Sequence, residues 1–160
     1  MLFYSTIFII IIIIYILYFI FPKNISINQT TIDKFNFDLL YEKQPLILSD
    51  HLVDIHSIIS LWFKYNFIYH THTNTSNWIL NNFKYTIIYN SNSNINSEIH
   101  ICNPYTNFDF NNSPYKNSNI VSITLSNNQF MILPYKWNYY IQDNFILTYN
   151  IHDFFTMCCF

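Results

Sequence analysis

A long, almost unbroken apolar run lies near the N-terminal end of this chain. Leu2 to Phe21 is 20 residues long, contains nine isoleucines and is interrupted only by Ser5 and Thr6. A helix of that length rises about 30 Å, the thickness of the hydrocarbon core of a bilayer. A signal peptide would instead show a charged start and a small-residue cleavage site, and neither is found. The run predicts a transmembrane anchor over residues 1–22, with the lipid bilayer as partner through residues 2–21.

The side of the membrane on which the body lies is open. Lys23 and Lys34 follow the run within the window in which basic residues favour the cytosolic side, so the charges favour a cytosolic body. Asn-x-Ser/Thr triplets would instead accept glycans in a lumenal body, although a chain this rich in asparagine contains several by chance. These triplets begin at Asn24, Asn28, Asn74 and Asn111.

Composition excludes several classes of function. The chain has 160 residues, no glycine and no arginine, and 7 lysines against 9 acidic residues give a formal net charge of −2. Without a basic patch, nucleic-acid binding is not expected. Without glycine, the phosphate-binding loops of nucleotide-binding proteins lack their defining residue. The excess of Ile, Asn, Lys, Tyr and Phe is typical of an AT-rich genome and is therefore weak evidence of function.

A polar segment, residues 23–40, is predicted to be a linker, and residues 41–160 form the predicted domain. Gln44 to Leu48 is a short apolar run beside a proline and predicts a first or edge strand. Ser49 or Asp50 is then placed to cap a helix. Apolar residues at helical spacing predict that helix over residues 52–63, with one buried face. They are Leu52, Ile55, Ile58, Ile59, Trp62 and Phe63.

Beyond residue 66 the apolar period changes from helical spacing to alternation. Short β-branched or aromatic runs, separated by Asn, Ser and Pro, predict seven strands and hence a mainly β sandwich or small barrel. Ser126 to Gln129 predicts a hairpin turn in which Asn takes the left-handed position usually held by Gly. The predicted strands are 67–72, 83–89, 99–102, 120–125, 130–133, 137–141 and 145–149.

Two residues in this region, Pro134 and Trp137, lie within an alternating stretch from Ile123 to Ile141. Their spacing resembles the second conserved region of cupins and cupin-like Jumonji C domains. That region reads Gly-x5-Pro-x-Gly-x2-His-x3-Asn, frequently with Trp after the second glycine. Asn128 and Lys136 stand at the two glycine positions. The resemblance implies a cupin-like double-stranded β-helix, a small barrel. The predicted amphipathic helix and, before it, the predicted transmembrane helix precede this barrel in the chain.

The resemblance extends upstream but departs from the family at the metal site. Tyr41 to Asp50, with the helix that follows, is similar to the strand and helix that begin Jumonji-type domains. Tyr139 stands where the family has its late metal-ligating histidine, and Asp143 replaces the final asparagine. The family's early His-x-Asp/Glu is absent. Membrane-anchored, Asn- and Ile-rich proteins of this cupin-like kind resemble ones encoded by large DNA viruses.

One pair of histidines has metal-like spacing. His70 and His72 are two residues apart on a predicted strand, which places both imidazoles on one face. The alternative for this pair is two solvated histidines at the end of a strand. His100 and His152 would complete a metal site only if the fold brought them near.

Two functions therefore stay open at this point. The sequence favours a single-pass membrane protein with a degenerate, non-catalytic cupin-like domain for binding, scaffolding or virion-membrane structure, without a cofactor. The alternative is a divergent non-haem oxygenase that uses Fe(II) and 2-oxoglutarate, with His70, His72 and a third, unidentified ligand. A β-sandwich unrelated to cupins is the third possibility for the fold.

Overall fold

The computed structural model describes residues 2–49, 54–72, 77–91, 95–106, 120–142 and 146–159. Within these ranges the chain forms four α-helices, one 3-10 helix and ten strands. The helices are α1 (Leu2–Phe19), the 3-10 helix (Ile32–Lys34), α2 (Asp38–Tyr41), α3 (Ile55–Trp62) and α4 (Phe154–Cys159). The strands are β1 (Asn28–Thr31), β2 (Leu46–Ser49), β3 (Phe67–His72), β4 (Ile79–Leu80), β5 (Tyr85–Asn90), β6 (Ser97–Cys102), β7 (Ile120–Leu125), β8 (Gln129–Pro134), β9 (Asn138–Ile141) and β10 (Ile146–His152).

The strands form two sheets with a nested order of pairing. The larger sheet has the order β1-β2-β8-β5-β10-β3, and the smaller has the order β4-β9-β6-β7. In the last eight strands, β6 pairs with β7, β5 with β8, β4 with β9 and β3 with β10, always antiparallel. The segment from β3 to β10 thus folds back on itself as a long antiparallel hairpin. Its successive strand pairs lie alternately in the larger and in the smaller sheet.

The two sheets pack face to face over an apolar core, which we call the inner core. Alternation along each strand sends every second side chain into this core, which is why period-two runs form the strands here. The larger sheet contributes Ile47, Ile88, Met131, Leu133 and Ile146, and the smaller contributes Ile99, Ile101, Ile123, Leu125, Tyr139 and Ile141. Trp137, which is fully buried, completes the core between them.

A second core lies on the other face of the larger sheet, beneath the helices. Ile55 and Ile59 of α3, with Phe63 just beyond it, pack there against strands β2, β5, β8 and β10. Asp54 caps α3, because its side chain accepts a hydrogen bond from the backbone N–H of His56 at 3.2 Å. The predicted amphipathic helix is therefore confirmed over Ile55–Trp62, whereas the predicted cap at Ser49 is wrong; Asp50 and Leu52 lie outside the described residues.

The N-terminal helix α1 is joined to the body at its C-terminal end. The ammonium of Lys43 donates to the carbonyl oxygens of Ile16, at 3.0 Å, and Ile20, at 2.5 Å. The ring of Phe19 makes an edge contact with Tyr135, and the centroids of the two rings are 6.4 Å apart. Among the described residues, none of the helices is both long and apolar enough to pass through a membrane.

Several predictions about the body are corrected by the structure. The described strands form two packed sheets rather than one closed barrel. The turn at Ser126–Gln129 is present, with the N–H of Gln129 donating to the carbonyl of Ser126 at 3.1 Å, but it is not a hairpin. Because β7 pairs with β6, and β8 pairs with β2 and β5, this turn carries the chain from one sheet to the other.

Part of the predicted linker is also structured. Residues 28–31 form β1, which pairs in parallel with β2 from Asn28 opposite Leu46 to Thr31 opposite Ser49. The side chains of Ile25 and Ile27, just before it, pack against the inner core. The polar sequence of β1 fits its position at the edge of the sheet, where alternate side chains remain exposed.

Candidate metal site and the interior of the sandwich

The predicted metal ligand His70 lies outside the sandwich. It is on β3, the edge strand of the larger sheet, directly opposite Tyr149 of β10. Tyr149 belongs to the core beneath the helices, and residues opposite each other in an antiparallel pair share a face. His70 therefore faces the helix layer rather than the space between the sheets. His72 ends the same strand opposite Leu147, and its side chain is not among those described.

The structure brings a different histidine to His70. His56, in the first turn of α3, has its ring centroid 5.3 Å from that of His70. Both rings also contact Tyr149, with centroid distances of 5.2 Å from His56 and 4.7 Å from His70. Both histidines are exposed, whereas Tyr149 is 1% exposed. We call these three side chains the His56 cluster.

Tyr149 contributes a buried hydroxyl group to the His56 cluster. Its hydroxyl oxygen lies 3.2 Å from Nε2 and 3.4 Å from Nδ1 of His56, within reach of one hydrogen bond. Burial, together with the charges of Tyr89 and Asp54, raises the pKa of Tyr149 to about 12. The phenol is therefore protonated near neutral pH, so it can donate a hydrogen bond to the imidazole and is not a phenolate ligand for a metal.

The His56 cluster offers two imidazoles to a metal ion. The carboxylate of Asp54 is close, but it already accepts hydrogen bonds from the His56 N–H and, at 2.8 Å, from the Ser57 hydroxyl. Structural zinc sites use four protein ligands and catalytic ones three. Within the described ranges no set of three or more His, Cys, Asp or Glu side chains is arranged to hold a metal.

The space between the two sheets is where the cupin resemblance would place an iron site. Tyr139, at the position of the late histidine ligand, does face the inner core and is 2% exposed. Burial raises its pKa to about 12, so the side chain is a neutral phenol among isoleucines. Neither His70 nor His56 reaches that space. The described residues between the sheets therefore do not fit an iron centre; Asp143 lies outside the described residues.

The other candidate histidines are also separated from His70. His100 is on β6 of the smaller sheet, 2% exposed, with Nδ1 2.7 Å from the hydroxyl oxygen of Ser122. His152, at the end of β10, contacts Phe83 and Tyr69 through its ring. It lies opposite Phe67, three residues from Tyr149 along β10 and hence on the other face of the sheet.

Sequence reasoning missed His56 because its relation to His70 is a tertiary one. His56 lies in a helix 14 residues before His70, and no spacing rule links a helix position to a strand position at that separation. The signal that was present is the helix itself, whose apolar positions 55, 58 and 59 leave position 56 on the exposed side.

Comparison of the chain with protein-family models, with curated proteins and with solved structures finds no match.

Proposed function

We propose that this protein is a membrane-anchored β-sandwich protein, whose body is a non-catalytic, cupin-like domain that serves binding or scaffolding at a lipid bilayer. The observation that carries the proposal is the apolar surface of α1. Phe8, Ile9, Ile10 and Ile11 are consecutive and are 50–65% exposed. Because consecutive helical residues point about 100° apart, these four cover most of the circumference of the helix. An apolar surface of this kind marks contact with a membrane or with another protein.

The exposed residues of α1 favour lipid over a protein groove. A helix that docks in a groove has one apolar face, whereas a helix that is apolar all round is buried in a protein core or in a membrane. In α1 the exposed apolar side chains continue from Tyr4 to Phe19 with no charged residue between them. The body contacts the C-terminal part of the helix through Lys43 and Tyr135.

The nested strand order supports a cupin-like domain. Pairing of β3 with β10, β4 with β9, β5 with β8 and β6 with β7 is the order of an eight-stranded jelly roll, the architecture to which cupins belong. The backbone adds a second observation. Asn128 and Lys136, at the two glycine positions of the cupin pattern, have φ angles of 59° and 67°, in the region that glycine favours.

A non-catalytic role is supported by what fills the sandwich. Cupin-type chemistry takes place between the sheets, as the resemblance implies, and here that space holds the isoleucines, Met131 and Trp137 of the inner core. Tyr139 presents a neutral phenol there. The location of His70 on the opposite face of the larger sheet gives the oxygenase alternative no support.

The test is the membrane association of the full chain with and without charges in α1. We expect the wild-type chain to stay in the membrane fraction after carbonate washing. Replacing Ile10 and Ile11 by Lys should release it, because placing a lysine ammonium in the hydrocarbon of a bilayer costs up to about 2.5–3.5 kcal/mol. The matched control is Leu61→Lys, on a residue of α3 that is 73% exposed. A wild-type chain that carbonate extracts as readily as the Lys variant would contradict the proposal.

A further inference from the structure

A cavity of about 510 Å³ lies between the end of α1 and the body. One wall is the last part of the apolar segment, including Leu17 and Ile20. The other wall comes from the body, with Leu40 of α2, Pro134 of β8 and the adjoining Tyr135. Its volume is within the range of about 300–1,000 Å³ that is typical of small-molecule sites.

Specific contacts beside the cavity join the end of the apolar segment to the body. Besides the two hydrogen bonds from Lys43 to the carbonyls of Ile16, in α1, and Ile20, just after it, the backbone N–H of Phe21 donates to the hydroxyl of Tyr105 at 3.1 Å. The Phe21 ring packs against Tyr135 and lies under the Lys43 ammonium, 5.0 Å from it. These contacts fix where α1 leaves the body, so the helix is held beside the cavity.

The charged side chains that line the cavity are engaged with the protein itself. The Glu42 carboxylate accepts a hydrogen bond from the side-chain amide of Asn28 at 2.6 Å. The Lys43 ammonium caps the carbonyls of Ile16 and Ile20, and burial lowers its pKa. The Lys84 ammonium lies 3.4 Å from a carboxylate oxygen of Asp153. Neither cation is therefore placed to bind an anionic group inside the cavity. A ligand of the cavity would be recognised through its apolar surface.

We propose that this cavity binds an acyl chain of a bilayer phospholipid. The inference rests on the proposed membrane anchoring, because α1 supplies one wall and its apolar surface continues away from the cavity into the lipid. A lipid chain is then the apolar molecule present at the highest local concentration where the cavity meets the membrane. The exposed Tyr41 also lines the cavity, and its amphipathic side chain can meet the boundary between lipid and water.

The experiment uses the full chain in phosphatidylcholine vesicles that contain a small proportion of phosphatidylcholine with a photoreactive diazirine in one acyl chain. After irradiation, the adducts are mapped by peptide mass spectrometry. We expect adducts on the body peptides that contain Leu40–Tyr41 and Pro134–Tyr135, in addition to those on α1.

Two matched substitutions on α1 make the test specific. Leu17 lines the cavity and Ile13 does not, and they are 52% and 50% exposed. Leu17→Trp, which fills the cavity, should reduce the body adducts several-fold, whereas Ile13→Trp should leave them unchanged. Ile20→Trp, a second change in the cavity wall, should repeat the effect of Leu17→Trp.

The outcomes separate this inference from the proposed function. Adducts confined to α1 in a vesicle-bound chain, or an equal loss in the Leu17 and Ile13 variants, would overturn the lipid cavity and leave the membrane anchor intact. A chain that does not sediment with the vesicles would overturn both.

Discussion

The side-chain amide nitrogen of Asn81 donates a hydrogen bond to the carbonyl oxygen of Pro134 at 2.8 Å. The same nitrogen donates to the carbonyl of Leu133 at 3.0 Å, and the amide oxygen accepts from the Phe83 N–H and the Thr86 hydroxyl, both at 2.9 Å. Asn81 lies where the chain passes from β4 in the smaller sheet to β5 in the larger. Its hydrogen bonds therefore join the segment between β4 and β5 to the end of β8, where the chain passes on to β9.

Replacing Asn81 by Ala should destabilise the body strongly. Asn81 is fully buried, and the change removes its hydrogen bonds to the carbonyls of Leu133 and Pro134, the Phe83 N–H and the Thr86 hydroxyl. The Thr86 hydroxyl keeps Asn150 and the Pro134 carbonyl keeps the Trp137 N–H, whereas a buried polar group left without any partner costs about 1–3 kcal/mol. Since part of this is recovered by relaxation, we expect a loss of about 3 kcal/mol in the free energy of unfolding. Urea denaturation of the full chain in non-ionic detergent measures it. Asn82→Ala, at the exposed neighbour, should cost less than about 0.5 kcal/mol, and equal losses would contradict this role.

Lys136 tests the glycine-like backbone of the turn between β8 and β9. Its φ of 67° is in the left-handed region, which is costly for a residue with a Cβ and free for glycine. Lys136→Gly and Lys136→Ala both remove the side chain that lies over the Tyr135 ring. The difference between them isolates the backbone term, and we expect the Gly variant to be more stable by about 1 kcal/mol in urea denaturation. A Gly variant less stable than the Ala variant would contradict the left-handed conformation of residue 136.

The cap of α3 predicts a pH dependence. Hydrogen bonds from the Ser57 hydroxyl and then the His56 N–H lower the pKa of Asp54 below its usual value of 3.8. A carboxylate with a lowered pKa stabilises the folded state above its unfolded pKa, and this contribution is lost as the pH falls below about 4. Asparagine caps helices about as well without titrating.

Thermal unfolding of the wild type and of Asp54→Asn measures how much the ionised Asp54 carboxylate contributes to stability. The two melting temperatures should be similar at neutral pH, where both side chains cap the helix. Between about pH 4 and pH 2 the wild type should lose more stability than the variant. If the melting temperatures of the wild type and the variant fell equally across this pH range, Asp54 would not contribute through its charge.

Local patterns in the sequence predicted the strands and α3, because each depends on the spacing of apolar residues that face a core. Seven predicted strands correspond to β3 and β5–β10, and the left-handed Asn128 lies in the predicted turn. The pairing of those strands was not predictable, since β7 and β8 are adjacent in the chain yet belong to different sheets. Alternation shows that a strand has a buried face and does not show which strand lies beside it.

Polar residues with specific roles were harder to predict. Asn81 is one asparagine among many in a chain whose composition is biased towards that residue, so its four hydrogen bonds have no local signature. The β1 strand was missed because its side chains are all polar and only its backbone pairs with β2. His56 meets His70 only after α3 packs on the larger sheet. In each case the information is tertiary.

Metal content gives the sharpest test of the proposed loss of catalysis. The His56 cluster supplies two imidazoles and a protonated phenol, which is fewer ligands than a stable zinc or iron site uses. We therefore expect the full chain, purified gently from cells supplied with iron, to hold iron, zinc, manganese and nickel well below one atom per chain. Mass spectrometry of the metals in wild type and His70→Ala should give the same low values.

Metal near one per chain that disappears in His70→Ala would overturn the non-catalytic proposal and make turnover of 2-oxoglutarate the next assay. Two further variants would then identify the ligands. His72→Ala would remove the metal if the His70 and His72 pair predicted from the sequence holds it. If His56→Ala removed it and His72→Ala did not, the ligand pair would be the one formed by α3 and β3. That result would place the metal on the helix-covered face of the larger sheet, away from the space between the sheets.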